Sequence, residues 1–580
     1  MTFFAIERRI FAGVVLVIAC CLPAGAQEQR RLYTPPTADA VHAVVAEHGM
    51  VVAQEKIAAQ IGTDVLRRGG NAVDAAVATG FAMAVTYPRA GNIGGGGFMV
   101  IHSTDRNEDV AIDYRETAPA ATTSEIFLGA DGKPDIAKSR DSALGIGVPG
   151  TVAGLAIALD KYGSGHFTLA DLVKPGIALA ANGTEITDDL ADTLPDWHRR
   201  LARWPSSAKI FSRADGTSLR EGDRLVQTDL AATLSAIAEQ GPRGFYEGPV
   251  AEKLVKSICD AGGIMTLDDL KSYRPVIRAP VRGTYRGYDI VSMPAPSSGG
   301  IVLLEILNIL EGFPMRDMKQ GSAPSLHVMI EAMKRAYADR ARYLGDPAFV
   351  KAPIATLIAK DYAAKQRTSI DLDHATPWTD ALSATPPEGD NTTHFSIVDS
   401  RGNAVSNTYT LNYSYGVGLV ADGTGVLLNN ELDDFTAAPG ASNAYGLVGF
   451  EANLPGPGKR PLSSMSPTIV LKDGKPLLVT GSPGGSRIIS AVLQVIVDVL
   501  DYGMDVAAAV AAPRVHHQWL PDEVRVERGF ADDTLAALRA KGHRVIEPLS
   551  PTSANSIAVT ERGLLGAPDP RTRGAEAARQ

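Results

Sequence analysis

Cysteine is almost missing: there are three in 580 residues. Two of them, Cys20 and Cys21, fall in an apolar N-terminal run, so the chain beyond that run keeps only Cys259 and is expected to fold without an intrachain disulfide. The short Cys spacings that hold structural zinc are missing too, and no metal or other cofactor is expected. A chain of this size must then be held by its core, which 45% hydrophobic residues can supply. An excess of positive charge is also lacking. With a net charge of −9 and no long Lys/Arg run to follow a phosphate backbone, nucleic acid is excluded as a partner. The four glycines Gly94 to Gly97 lie between a helical pattern and a probable strand with no Lys-Ser/Thr after them, which excludes a phosphate-binding loop. A tight packing turn and a ligand loop both remain open for them.

What is present begins with Arg8 and Arg9, the apolar run Ile10 to Leu22 and Ala24-Gly25-Ala26. This is the pattern of a cleaved secretory signal over residues 1–26, and it is shorter than the about 20 apolar residues of a membrane span. Export to the periplasm or the medium is expected, with no integral membrane span in the mature chain. Lipid anchoring through Cys20 is the minor alternative, since Val17-Ile18-Ala19-Cys20 loosely resembles a bacterial lipoprotein signal. Helical spacing at Ile57, Ile61 and Val65 stops at Gly69-Gly70. Asn71 caps a second helix, with Asp74 at its third position and Val73, Val77, Phe81 and Ala84 on one face. Strands are expected near 98–102 and 110–114, helices over most of 145–260, strands near 281–291 and a buried helix over 301–310. After residue 366 the composition turns polar and proline-bearing, like a linker.

That linker leads to Asp390-Asn391-Thr392-Thr393-His394-Phe395-Ser396, where a strand starts abruptly and returns over Ala404 to Leu411 after a turn at Asp399 to Asn403. Two threonines at a strand start mean little alone, because β-branched residues are common in strands. Arg115 ends the strand before it and is either a solvated cation or a carboxylate clamp. Asp433-Asp434 lack the spaced partners of a calcium loop and form either a turn or a cation site. Residues 436–446 look like a mobile loop with Tyr445 at its tip and a possible lid function. Gly484-Gly485, between a strand and an apolar helix, can aim backbone N–H groups at a developing negative charge. His516-His517 are neighbours on a strand, face opposite ways and cannot readily share a metal.

Taken together, the Pro88 to Met99 glycine stretch, Asp113-Tyr114-Arg115-Glu116, the Thr392 start, Thr408 to Asn412, Asn429 to Phe435, Arg460 to Pro467, Gly481 to Arg487 and His516 to Pro521 resemble the γ-glutamyltransferase family of N-terminal-nucleophile hydrolases. The resemblance implies an α+β fold, a four-layer αββα sandwich. It implies autocleavage between Asn391 and Thr392 into a large subunit, 27–391, and a small subunit, 392–580, which together build one interwoven domain. Thr392 would then be the nucleophile, with its own freed α-amine, titrating near about 7.7–8.0, as general base. Thr410 would hydrogen-bond the nucleophile, and Gly484 and Gly485 would form the oxyanion hole. Arg115, Ser463 and Ser464 would hold the substrate α-carboxylate, and Asn412, Glu431 and Asp434 its α-amino group. His394 would be structural. The implied reaction is ping-pong transfer of a γ-glutamyl group from glutathione or a related compound to water, an amino acid or a dipeptide. Two alternatives are an acylase for glutaryl-cephalosporin side chains and an uncleaved homologue that only binds peptides. The acylase substrate carries no α-amino group, and Asp434 argues against it.

Overall fold

The computed structural model describes residues 41–378 and 391–580. The expected signal, its lead-in and the Pro386-Pro387-Gly389 approach to Asn391 lie outside the described residues. Two seven-stranded sheets form the middle of the molecule. The strand Thr393–Val398 lies inside one of them, antiparallel to Ala404–Thr410 on one side and to Met50–Ala53 on the other. Gly96–Ser103 and Glu108–Tyr114 continue that sheet beyond Ala404–Thr410, and Glu576–Arg579 lies beyond Met50–Ala53. The other sheet runs Val44–Ala46, Gly563–Ala567, Ser556–Thr560, Lys475–Thr480, Thr468–Lys472, Tyr288–Ser292, Val281–Tyr285. Each of these two large sheets mixes strands from before and after Thr392, so neither stretch builds either of them alone.

The layers follow from alternation along strands buried on both faces. In Gly96–Ser103, Phe98 and Val100 join the core shared with the second sheet, whereas Met99 and Ile101 join the core under the helices Lys56–Arg67 and Ala72–Thr86. Gly299–Leu310, Ile488–Leu500 and Val506–Ala511 cover the second sheet from its other side. The order is therefore αββα, as the family resemblance implies. Asn71 closes a capping box with Asp74, at the position the sequence predicts. The helix it starts has no solvent face, because all of its residues are buried. Its apolar stripe understated how deeply it lies.

The four glycines are a packing turn. A Cβ on Gly94 would lie 2.0 Å from the Leu427 carbonyl oxygen, and one on Gly95 2.1 Å from that of Thr410. The turn also fixes Thr410, since Asn92 donates its side-chain amide to Thr410 O at 2.9 Å and accepts from Gly95 N at 2.9 Å. The stretch after residue 366 differs from the linker expectation as far as Trp378. Arg335 donates to Ser369 O at 2.8 Å, Lys334 to Thr376 O at 2.9 Å, and Trp378 N to Asp522 at 3.0 Å. These bonds tie an otherwise exposed stretch to the body of the protein at several points.

Gly299–Leu310 is buried on every side, including its one acid, Glu305. Oε1 of Glu305 has no partner among the described residues, and burial, reinforced by Asp339, pushes its carboxyl well above the usual range. A carboxyl with a raised folded-state pKa contributes stability that is complete below its unfolded pKa and is lost as pH rises through the folded one. Glu305→Gln should therefore reduce the fall in thermal midpoint between pH 6 and pH 9 relative to the parent chain. Equal falls in a pair of thermal melts would show that Glu305 does not carry this dependence.

Candidate active site

The strand Thr393–Val398 delivers Thr392 to one end of the sandwich, where loops leave both sheets. Thr392 has φ 105°, a region that a β-branched residue rarely adopts and that costs on the order of 1–3 kcal/mol. The strain therefore sits at the Asn391–Thr392 peptide. The carbonyl of that peptide accepts a hydrogen bond from Gly484 N at 3.3 Å. Gly484 and Gly485 have φ 124° and 57°, which explains why glycine occupies both positions. The Asn391 side-chain oxygen is held by Ser414 through its N–H and its hydroxyl, both at 2.8 Å. Thr392 donates its hydroxyl to Thr410 Oγ1 at 3.1 Å, and Thr410 Oγ1 also accepts from Asn412 N at 2.8 Å. One hydroxyl, one strained peptide carbonyl and one backbone donor thus meet around the Asn391–Thr392 bond.

His394 stays out of this chemistry. Its ring is buried between the sheets, bonded to Thr408 and Ser396 at 2.8 and 3.0 Å. Burial lowers its pKa to about 3, so it is neutral at physiological pH and acts as a spacer. Gly481 makes room for it, since a Cβ there would lie 2.3 Å from the ring.

The second half of the site is a buried charge cluster. Arg115, fully buried, pairs through its two amino groups with Glu431 and Asp434, and donates Nε to Pro461 O at 3.1 Å. Burial pushes the carboxyls of Glu431 and Asp434 up, with Arg115 opposing, and it drives the neighbouring Glu116 up to about 7. Oε2 of Glu431 and both carboxyl oxygens of Glu116 lack partners among the described residues. Three acids around one guanidinium make this corner a place for a cation. The two adjacent aspartates have separate tasks: Asp433 turns away to Ser139, and only Asp434 faces Arg115.

Arg115, Thr392, Thr410, Asn412, Glu431, Asp434, Ser463, Ser464 and Gly485 all line one cavity, together with Tyr445. Gly484 is not among its lining residues; it meets the site from behind, through Asn391. The cavity is about 20 Å³, room for about one water. Tyr445 is the reason. Expected at the tip of a mobile loop, it is instead 4% exposed, stacked on Tyr413 at 5.6 Å and donating to Asn412 Oδ1 at 2.9 Å. A phenol ring covers more apolar area packed inward than at a loop tip. Sequence reasoning missed Ser414 and the Tyr445–Asn412 bond, because nothing in local pattern marks a hydroxyl or an amide that acts across 23 or 33 residues.

One group of metal-type side chains lies elsewhere: His327, Glu331 and His543. His327 Nδ1 and His543 Nε2 share a hydrogen bond at 2.8 Å, and Glu331 is paired with Arg335 at 2.7 Å and Lys334 at 3.4 Å. Two adjacent cations oppose a metal ion there. The group secures residues 369–376 instead.

A family model described as gamma-glutamyltranspeptidase matches residues 58–579. The chain is 50% identical over 568 residues to the glutathione hydrolase proenzyme of Escherichia coli (strain K12), covering 97% of each chain. It is 38% identical over 525 residues to the Acylase ACY 1 proenzyme of Pseudomonas sp. (strain SE83), covering 89% of this chain and 91% of the relative. Among solved structures, the cephalosporin acylase from Bacillus halodurans is similar with a TM-score of 0.81 at 28% identity, covering 95% of this chain and 98% of that one. The Helicobacter pylori gamma-glutamyltranspeptidase is similar with a TM-score of 0.54 at 47% identity, covering 55% of this chain and 91% of that one.

The bond between the two threonine hydroxyls generates a test. Thr410→Val keeps the shape and deletes the hydroxyl; splitting of the chain should slow by about 10²-fold or more, as for loss of a positioned proton-transfer partner. Thr410→Ser should restore it to within about threefold. The precursor band followed over time on a denaturing gel reads both.

Proposed function

This chain belongs to the gamma-glutamyltranspeptidase family, and on that premise we propose which of its groups carry the reaction. It is a γ-glutamyltransferase of the glutathione hydrolase type, made as one chain and activated by its own cleavage. The observation that carries the site assignment is the Asn391–Thr392 peptide, strained at Thr392 and hydrogen-bonded at its carbonyl by Gly484.

In the first reaction the Thr392 hydroxyl adds to the Asn391 carbonyl carbon, and Gly484 N–H stabilises the oxygen as it becomes negative. The C–N bond breaks, the threonine nitrogen takes a proton, and Asn391 is left as an ester on Thr392 Oγ1. Water opens the ester and frees an Asn391 carboxylate and a Thr392 carrying both hydroxyl and amine. In the second reaction that amine takes the hydroxyl proton as Oγ1 attacks the γ-carbonyl of a glutamyl donor. The leaving amine departs, and the γ-glutamyl ester passes its acyl group to water, an amino acid or a dipeptide. Gly484 and Gly485 serve as oxyanion donors in this reaction, and Thr410 orients the nucleophile.

Substrate recognition rests on charge. A γ-glutamyl head carries an ammonium and a carboxylate on one carbon. Glu431 and Asp434, with Asn412, suit the ammonium; Arg115, Ser463 and Ser464 suit the carboxylate. Since Arg115 is paired with both acids in this state, the substrate would replace those pairs with its own two charges. Asn412 is bonded to Tyr445, so the Tyr445 loop must withdraw before the head group enters, which supports its reading as a lid. The acid pair favours a γ-glutamyl over a glutaryl substrate, which has no ammonium to meet it.

Residues 27–391 and 392–580 are proposed as the large and small subunits, with strands shared in both sheets. Export to the periplasm or the medium is proposed from the Arg8 to Ala26 pattern, and lipidation at Cys20 remains its alternative. Among the described residues no helix is long and apolar enough to cross a membrane.

A denaturing gel of purified protein should show bands of roughly 39 and 20 kDa, scaled by residue number from 61.1 kDa. Thr392→Ala should stay a single chain and release no anilide from a γ-glutamyl anilide; residual turnover would mean that the nucleophile lies elsewhere. Asp434→Asn should lower kcat/KM about 10–100-fold for the γ-glutamyl anilide, as expected for loss of a hydrogen bond to a charged group, and less than about threefold for the glutaryl anilide. Equal losses on the two substrates would remove the amino-group role.

A further inference from the structure

Every side of the Arg115 guanidinium is committed, to Glu431, Asp434 and Pro461 O. A second arginine beside the site is not. Arg340 lies in the last turn of the Ala323–Tyr343 helix and is 4% exposed. Among the described residues its guanidinium forms no ion pair and only two hydrogen bonds, from Nε to Ser298 Oγ at 2.9 Å and from an amino group to Ser464 Oγ at 3.3 Å. It lines a small cavity that shares Asp434 and Leu447 with the substrate cavity. Burial lowers its pKa to about 10, with Asp434 of the same cavity opposing through space, so it remains a cation at neutral pH, held away from water with no direct ion pair among the described residues. Such a group is costly until an anion meets it.

Its two bonds have a direction. Ser298 accepts from Arg340 and donates its hydroxyl to Ser463 O at 2.6 Å, and Ser298 N donates to the same oxygen at 2.8 Å. Ser463 Oγ accepts from Met465 N at 3.1 Å, and Ser464 Oγ accepts from Arg340. Both serine hydroxyls are thus used as acceptors, and neither has an acceptor for its own proton among the described residues. A hydroxyl approached by a donor from behind presents its proton in front. Two O–H donors backed by a guanidinium that makes no direct ion pair form a donor-rich corner next to Asp434, which lines both cavities.

We propose that Arg340 is a second guanidinium of the substrate α-carboxylate pocket. It orients the Ser464 hydroxyl directly and the Ser463 backbone through Ser298, and its charge balances the incoming carboxylate. This rests on the γ-glutamyl reading of the same cavity, and it makes Arg340 a positioning residue that need not touch the reacting atoms.

Three anilides separate the roles: γ-glutamyl, with both charged groups; glutaryl, with the carboxylate only; and 4-aminobutyryl, with the amine only. Each is followed as a substrate or, where turnover is slow, as a competitive inhibitor of γ-glutamyl anilide turnover. For Arg340→Gln, KM for the first two should rise about 10–30-fold with kcat within about threefold, the size expected for a lost charged hydrogen bond. The 4-aminobutyryl constant should change less than about twofold, and the chain should still split. Arg340→Lys should recover part of the loss, and Ser298→Ala should reproduce the same carboxylate-selective pattern in weaker form. A loss shared equally by all three anilides, or no loss, overturns the proposal. Should Arg340→Gln fail to split, Arg340→Lys and Ser298→Ala carry the same comparison: a carboxylate-selective loss supports the proposal, and an equal loss or none overturns it. Failure of the parent chain to turn over γ-glutamyl anilide would instead overturn the functional reading beneath it.

Discussion

The strand Thr393–Val398 is hydrogen-bonded on both sides, to Met50–Ala53 and to Ala404–Thr410, and the site depends on that. Under the proposed cleavage, a threonine that is first an internal residue and then an N-terminus would have to stay in place while its own peptide breaks. Central pairing secures this. The strand is held by neighbours on either side and by two cores, through Phe395 and Ile397 toward the helices and Val398 toward the second sheet. Cleavage at Asn391–Thr392, as proposed, would remove one covalent bond and none of these contacts. The strain at Thr392 would be released by the same event.

Around that fixed point the charges are arranged so that the empty site neutralises itself. Arg115 takes both acids, and burial raises the carboxyls so that the cluster is not held as three full negative charges. On the proposed binding roles, a zwitterion would exchange like for like when it enters. A singly charged analogue could not, and would leave one corner with a buried charge that nothing offsets. Discrimination between γ-glutamyl and glutaryl compounds would then follow from electrostatics more than from shape. This matters in a fold shared with relatives named as acylases.

Closure is the third constraint. The cavity is about 20 Å³, and Tyr445 lines it with its hydroxyl spent on Asn412. Dry surroundings strengthen every interaction inside. At the other end of the approach the chain is tied down as far as Trp378 by Arg335, Lys334 and Asp522.

Much of the site was legible in the sequence because its parts are local motifs: the threonines after Asn391, the Gly484-Gly485 turn, the Arg115 strand end and the serine pair. Capping at Asn71 and the buried helix over 301–310 were legible for the same reason, since spacing and capping residues act between neighbours in the chain. Other decisions needed the tertiary structure. Whether four glycines serve a ligand or a neighbouring backbone depends on the Thr410 and Leu427 carbonyls, far away in sequence. Which of two adjacent aspartates faces a cation is set by where each side chain finds a partner, Ser139 or Arg115, and the inward packing of Tyr445 was not legible because loop composition says nothing about a ring partner at Tyr413. The pairing of Arg115 with Glu431 and Asp434, and the solitary state of Arg340, arise only when distant segments meet. The sequence by itself determined which chemical groups are available and in what order; folding decided their charge states and their partners, because burial and pairing are properties of the assembled core.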